Sequence, residues 1–124
     1  MGKGTTFMKV ILDGREYAIS LEDNTLTKEI AALCPMELSM SRSGGHEYYG
    51  TLSGKLDAKQ ARQTSVVQAG GVYYFAAWNA FSLVFRAADI PPYSVHIVGQ
   101  AEDSLTEALL NTGRSIAVRF EEEA

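Results

Sequence analysis

The feature that most constrains this chain is Asp13-Gly14, which stands between two β-prone runs at residues 7–12 and 15–21. A two-residue type I′ turn needs positive φ at both central positions, which Asp tolerates and Gly adopts freely, so the pair marks a tight hairpin. Such a short loop also sets the register. Val10 then faces Tyr17 and Met8 faces Ile19, and the apolar residues of both strands fall on one face. A chain that opens this way calls for an antiparallel sheet with one buried side. At 124 residues it has room for one domain around that sheet; 46% hydrophobic and 21% charged residues supply a core and argue against disorder.

The remaining signals extend the pattern. Asp23 or Asn24 is placed to cap a short helix over residues 25–34, in which Leu26, Ile30 and Leu33 share one face and which Pro35 stops. Met36, Leu38 and Met40 then alternate with Glu37, Ser39 and Ser41, a half-buried strand that Ser43-Gly44-Gly45 breaks. Residues 46–63 are polar and weakly patterned, and read as loops with room for one short strand. Strand signals return at 65–68, at Val72-Tyr73-Tyr74-Phe75, and at 81–86, where Phe81, Leu83 and Phe85 alternate. Asn79-Ala80 is a poor type I′ pair, so a wider loop over 76–80 is expected. Pro91-Pro92 cannot donate to a ladder and marks a loop before a strand at 93–99. Ser104-Leu105-Thr106-Glu107 has the form of a capping box; the helix it opens carries Leu105, Ala108 and Leu109 and is expected to end at Gly113 as its C′ residue. Ile116, Val118 and Phe120 alternate in a final strand.

About seven or eight short strands, two helices and regularly spaced turn signals describe a mainly β sandwich or barrel. No repeat or linker divides it. Residues 7–121 are read as one domain, 1–6 as a Gly-rich leader and 122–124 as an acidic tail.

Several function classes fall away on composition. The net charge is −4 and no basic stripe is interleaved with aromatics, so nucleic acid is not an expected partner. No run approaches the ~18 consecutive apolar residues of a membrane span, and the first residues lack the apolar segment of a secretory signal; cytoplasm is the expected compartment. Met1-Gly2 with Thr6 fits the loose Met-Gly-x-x-x-Ser/Thr acylation pattern, which is read here as part of a frayed leader. The single Cys34 allows no intrachain disulfide and reads as a small buried hydrophobe. Neither a metal nor a cofactor is expected. His46 and His96 are far apart, and the neighbours His46-Glu47, taken as strand residues, would point to opposite faces. Ser43-Gly44-Gly45 and Gly70-Gly71 match no phosphate-binding loop.

The order of elements carries a resemblance. The hairpin leads to Leu21-Glu22-Asp23-Asn24-Thr25 and a helix, then to Leu38-Ser39-Met40-Ser41 and Tyr49-Gly50. Ala69-Gly70-Gly71-Val72-Tyr73-Tyr74 runs on to Phe81-Ser82-Leu83-Val84-Phe85, and Val95-His96-Ile97-Val98-Gly99 precedes the last helix and strand. Over nearly the whole chain this resembles the small prokaryotic cyclophilin-like domain family. The resemblance implies a closed antiparallel β-barrel with two short helices capping its open ends, in a family that is largely uncharacterised. Cyclophilins themselves isomerise X-Pro bonds, holding the prolyl ring in an aromatic pocket and an Arg guanidinium near the twisting amide. This chain lacks the Phe-His-Arg-x-Ile and Gln-Gly-Gly-Asp segments that carry that Arg and its neighbours.

Arg42, which leaves a half-buried strand beside a Gly-Gly loop, is the one catalytic candidate; its plainer reading is a solvated strand end. His96, in the stretch that loosely echoes a cyclophilin His-Val-Val-Phe-Gly segment, reads more simply as a hydrogen-bonded structural His. Trp78 is expected in a loop at a barrel end, where with Tyr49 and Phe81 it would line an apolar pocket for a proline ring, a peptide or a small ligand. The expected function is therefore a non-catalytic domain binding a peptide or small ligand. Peptidyl-prolyl isomerisation through Arg42 is the alternative, and a homodimeric interaction module pairing through an exposed edge strand is a third reading.

Overall fold

The computed structural model describes residues 6–122. Residues 1–5 and 123–124, with most of the expected leader and acidic tail and the acylation pattern, lie outside the described residues; Thr6 and Glu122 are the first and last residues of strands.

The opening hairpin forms as the turn chemistry requires. Strands β1 (Thr6–Leu12) and β2 (Arg15–Leu21) meet across Asp13 and Gly14, whose φ values are 52° and 77°. The register pairs Val10 with Tyr17 and Met8 with Ile19. Helix α1 (Thr25–Ala32) follows, with Asn24 as its N-cap: the Asn24 side chain accepts from the Thr27 N–H while the Thr27 hydroxyl accepts from the Asn24 N–H. The remaining strands are β3 (Met36–Ser43), β4 (Glu47–Thr51), β5 (Gln63–Thr64), β6 (Val66–Val67), β7 (Gly71–Phe75), β8 (Ala80–Val84), β9 (Ala88–Asp89), β10 (Val95–Ala101) and β11 (Ser115–Glu122), with α2 (Asp103–Leu110) before the last.

Eight of these strands close into an antiparallel barrel, in the order β2-β1-β11-β3-β4-β8-β7-β10 and back to β2. Closure occurs where Gly99 faces Leu21, next to a register shift between Ile97 and Gly99. A Cβ on Gly99 would lie 2.1 Å from the Ser20 carbonyl oxygen, so only glycine lets the two backbones meet. The helices sit at opposite ends, because α1 joins the end of β2 to the start of β3, whereas α2 joins the end of β10 to the start of β11. Leu26 and Ile30 of α1, and Leu105 and Leu109 of α2, enter the same core as Met8, Val10, Met40, Tyr48, Phe81 and Phe120 from the strands. No helix among the described residues is long and apolar enough to cross a membrane.

The short strand allowed for within residues 46–63 falls at 47–51, in the barrel wall between β3 and β8, where pairing on both sides outweighs a weak pattern. Two readings of the second helix differ from the sequence expectation. The second helix begins one residue before the proposed box, with Glu102 as N-cap and no side-chain cap bond. Its carboxylate instead accepts from the Ala18 N–H at 2.6 Å and from the Ser104 hydroxyl at 2.9 Å. That helix also stops at Leu110 with Asn111 as C-cap, so Gly113 lies beyond the C′ position.

Candidate functional site

Strands β7 and β8 are buried on both faces, which is unusual for a barrel wall exposed on its outside. Inside are Val72, Tyr74, Phe81 and Leu83. Outside, Tyr73, Val84, Val95 and Val67 form a second apolar cluster, with Phe75, Ala88, Ile90 and Ile97 packed against it. The cover is the β6–β9 ribbon and the loop that follows it. That loop is tied down by the Tyr93 N–H, which donates to the Ile90 carbonyl at 2.7 Å, and by the Ser65 hydroxyl, which donates to the Tyr93 carbonyl at 2.8 Å. Beside this cover, the outer wall of β4, β8 and β7 is left as a cleft of about 210 Å³.

Strand register lays out the cleft floor in rows. Tyr49, Ser82 and Tyr73 are direct cross-strand partners, and so are Ala80 and Phe75. One further row holds Ser43, Glu47 and Val84. Side chains two apart on a strand are about 7 Å apart, so the Glu47 row and the Phe75 row are separated by about 13 Å. At the Phe75 end, Phe75 meets Trp78 edge-on at 5.1 Å between ring centroids and Tyr93 at 6.0 Å. Trp78 is 64% exposed and Tyr93 58% exposed, so two large rings form the rim.

The polar end is built by the turn between β3 and β4. The His46 N–H donates to the Ser43 carbonyl at 3.3 Å across Gly44 and Gly45, both with positive φ. The imidazole folds back over Gly44, where a Cβ would lie 2.7 Å from the ring, and Nδ1 is 3.3 Å from the Gly44 carbonyl oxygen. This fold-back brings Nε2 to 3.9 Å from Glu47 Oε2. The expectation that His46 and Glu47 would diverge fails because His46 belongs to the turn, where strand alternation has not begun. Burial holds the Glu47 carboxyl above its ordinary pKa, against the opposing pulls of His46 and of a hydrogen bond with Ser82.

Of the five side chains singled out in the sequence, the cleft brings together Tyr49 and Trp78. Phe81 alternates with Ser82 and faces the barrel interior, fully buried and edge-on to Phe120 at 5.2 Å. Arg42 pairs across the ladder with Tyr48, an inward residue, and its guanidinium lies 4.6 Å from the Phe85 ring centroid while Nη1 donates to the Thr112 carbonyl at 3.1 Å. His96 also shares the inner face, opposite Tyr74, with Nδ1 3.3 Å from the Ala61 carbonyl oxygen. Sequence reasoning passed over Glu47, His46, Tyr73, Phe75 and Tyr93 as site residues. One signal was available: Val72-Tyr73-Tyr74-Phe75 has no polar alternation, as expected of a strand covered on both sides.

Comparison with known proteins adds the family and the fold. A family model described as the Cyclophilin-like family matches residues 10–121. No curated protein matches the sequence. Among solved structures, the chain is similar to the solution structure of a hypothetical protein from Archaeoglobus fulgidus, with a TM-score of 0.75 and 21% identity over 99% of this chain and 100% of that one.

Proposed function

The chain belongs to the Cyclophilin-like family, and from that premise we propose that it is a non-catalytic binding domain whose outer-wall cleft takes a peptide or small ligand. One observation carries the reading: a concave, mainly apolar cleft with Trp78 and Tyr93 exposed at its rim and a short polar row at its far end. Large rings held in water beside an apolar floor gain free energy when a ligand covers them, and a few polar groups set its orientation. Isomerisation through Arg42 has less support. No Lys or Arg lines the cleft among the described residues, and the Arg42 guanidinium is engaged by Thr112 and Phe85 on the other side of the wall.

The test is NMR titration of the full chain with short peptides and aromatic fragments. Shift changes should centre on Tyr49, Tyr73, Phe75 and Trp78, and Trp78→Ala should weaken binding about tenfold. Shifts confined to another face would reject the cleft. Exchange spectroscopy on X-Pro peptides should show no acceleration. Acceleration that disappears in Arg42→Ala would replace the binding reading with the isomerase one.

A further inference from the structure

Resting on that binding reading, we propose that the ligand is a small organic cation: an apolar or aromatic body ending in an ammonium group, with the charge seated at Glu47 and His46 and the body running along Tyr49 and Tyr73 toward Trp78. Two acceptors converge at the polar end. The Gly44 carbonyl can only accept, so His46 Nδ1 supplies the proton of that bond and neutral His46 presents a bare Nε2. That nitrogen faces Glu47 Oε2 at 3.9 Å, too far for a hydrogen bond and close enough for one donor to bridge. An ammonium nitrogen has three N–H groups and reaches both atoms at ordinary hydrogen-bond length.

Charge complementarity points the same way. Among the residues lining the cleft, Glu47 is the only carboxylate, and no Lys or Arg opposes it. Its side chain is 24% accessible, so water screens it only in part. Its neighbours across the ladder are Ser43 and Val84, neither of which carries charge. Next along the floor come Tyr49 and Tyr73, whose π faces attract a cation. An anion would meet Glu47 unfavourably, and a wholly apolar ligand would leave His46 Nε2 without a donor and Glu47 with no donor beyond Ser82. A cleft of about 210 Å³ suits a compact molecule rather than a folded partner.

The experiment compares three probes with the same body: phenylpropylamine, phenylpropanol and phenylpropanoate. Binding to the full chain at neutral pH and low salt is read by the fluorescence of Trp78, the single tryptophan, and by NMR shifts. The amine should bind about tenfold tighter than the alcohol, with the carboxylate weakest. Glu47→Gln should remove the gap between amine and alcohol while the alcohol still binds; a dispersed NMR spectrum checks that the variant is folded. Equal binding of amine and alcohol to wild type, or a gap that persists in Glu47→Gln, overturns the cation assignment and leaves the cleft in place. No binding by any of the three at millimolar concentration rejects the cleft reading itself, and the assignment with it.

Discussion

Glu47 and Cys34 are carboxyl and thiol groups whose surroundings, rather than their chemistry alone, decide how they titrate. Burial raises the Glu47 pKa above the ordinary 4.5, so the folded chain takes up a proton more readily there than the unfolded chain. The sign follows: folding loses stability as pH rises from 4.5 through the raised native value, and the full penalty is present above that value. Glu47→Gln should therefore be at least as stable as wild type at neutral pH, with an advantage that vanishes in acid. Denaturation by urea across a pH series reads this directly, and a deficit that does not change with pH would mean that lost hydrogen bonding outweighs desolvation. Cys34 is pushed up from 9.0 to about 11, first by burial and then by Glu122 and Glu121. Its thiolate fraction near pH 8 should be about a hundredfold below that of an unhindered thiol, and alkylation correspondingly slow. A rate equal to that of a free thiol would contradict this assignment. Tyr49 and Trp78, which line the cleft, were legible as candidates because aromatics beside turns have few uses other than packing or binding. His46 and Glu47 were not, since their approach depends on the imidazole folding back over Gly44.

Short elements here are stabilised at their ends. Asn79 closes the single turn of 3-10 helix at Ala76–Trp78 with φ of 51°. Its amide nitrogen donates to the Leu52 and Gly54 carbonyls at 2.8 and 2.7 Å, and its side-chain oxygen accepts from the Tyr74 hydroxyl. Asn79→Gly keeps the backbone free to adopt positive φ and loses the bonds; Asn79→Ala loses both. Urea denaturation should show Asn79→Gly costing about 2 kcal/mol and Asn79→Ala about 1 kcal/mol more. Identical stabilities for the two variants would mean that the left-handed backbone contributes nothing. Asn24→Ala removes the reciprocal cap of α1 and should cost about 1 kcal/mol by the same measurement. The α1 cap was legible to within one residue, Asp23 or Asn24, because a cap and its partner lie within one turn. The start of α2 was not, because Glu102 is recruited by the Ala18 N–H, 84 positions away in sequence.

For the whole molecule, closure between β2 and β10 turns on Gly99, where an added Cβ would come nearer to another atom than at the other described glycines. Gly99→Ala puts a methyl into the Ser20 carbonyl and should cost about 3 kcal/mol or more, whereas Gly113→Ala meets open space and should be near neutral. Similar midpoints in thermal unfolding would show that the wall can shift to admit the methyl. Short strands, two helices and alternating apolar residues were legible in sequence, because each depends on local periodicity and turn chemistry. These left a sandwich or a barrel open. Closure with a helix at each end came from the family resemblance, since the β2–β10 pairing joins residues far apart in the chain. Asp13-Gly14 determined its hairpin and register by itself, since backbone sterics at two residues leave few alternatives. Which face of the wall carries a cleft was decided only in three dimensions. Phe81 and Tyr73 are both aromatic residues in adjacent strands, yet alternation and register send one into the core and the other onto the cleft floor. Likewise, Arg42 and Glu47 flank one turn, but Arg42 is drawn inward to Thr112 and Phe85 while Glu47 remains outside with His46. Sequence determines the elements because their forces act within a few residues; the site depends on contacts between residues far apart in the chain, which exist only once the barrel has closed.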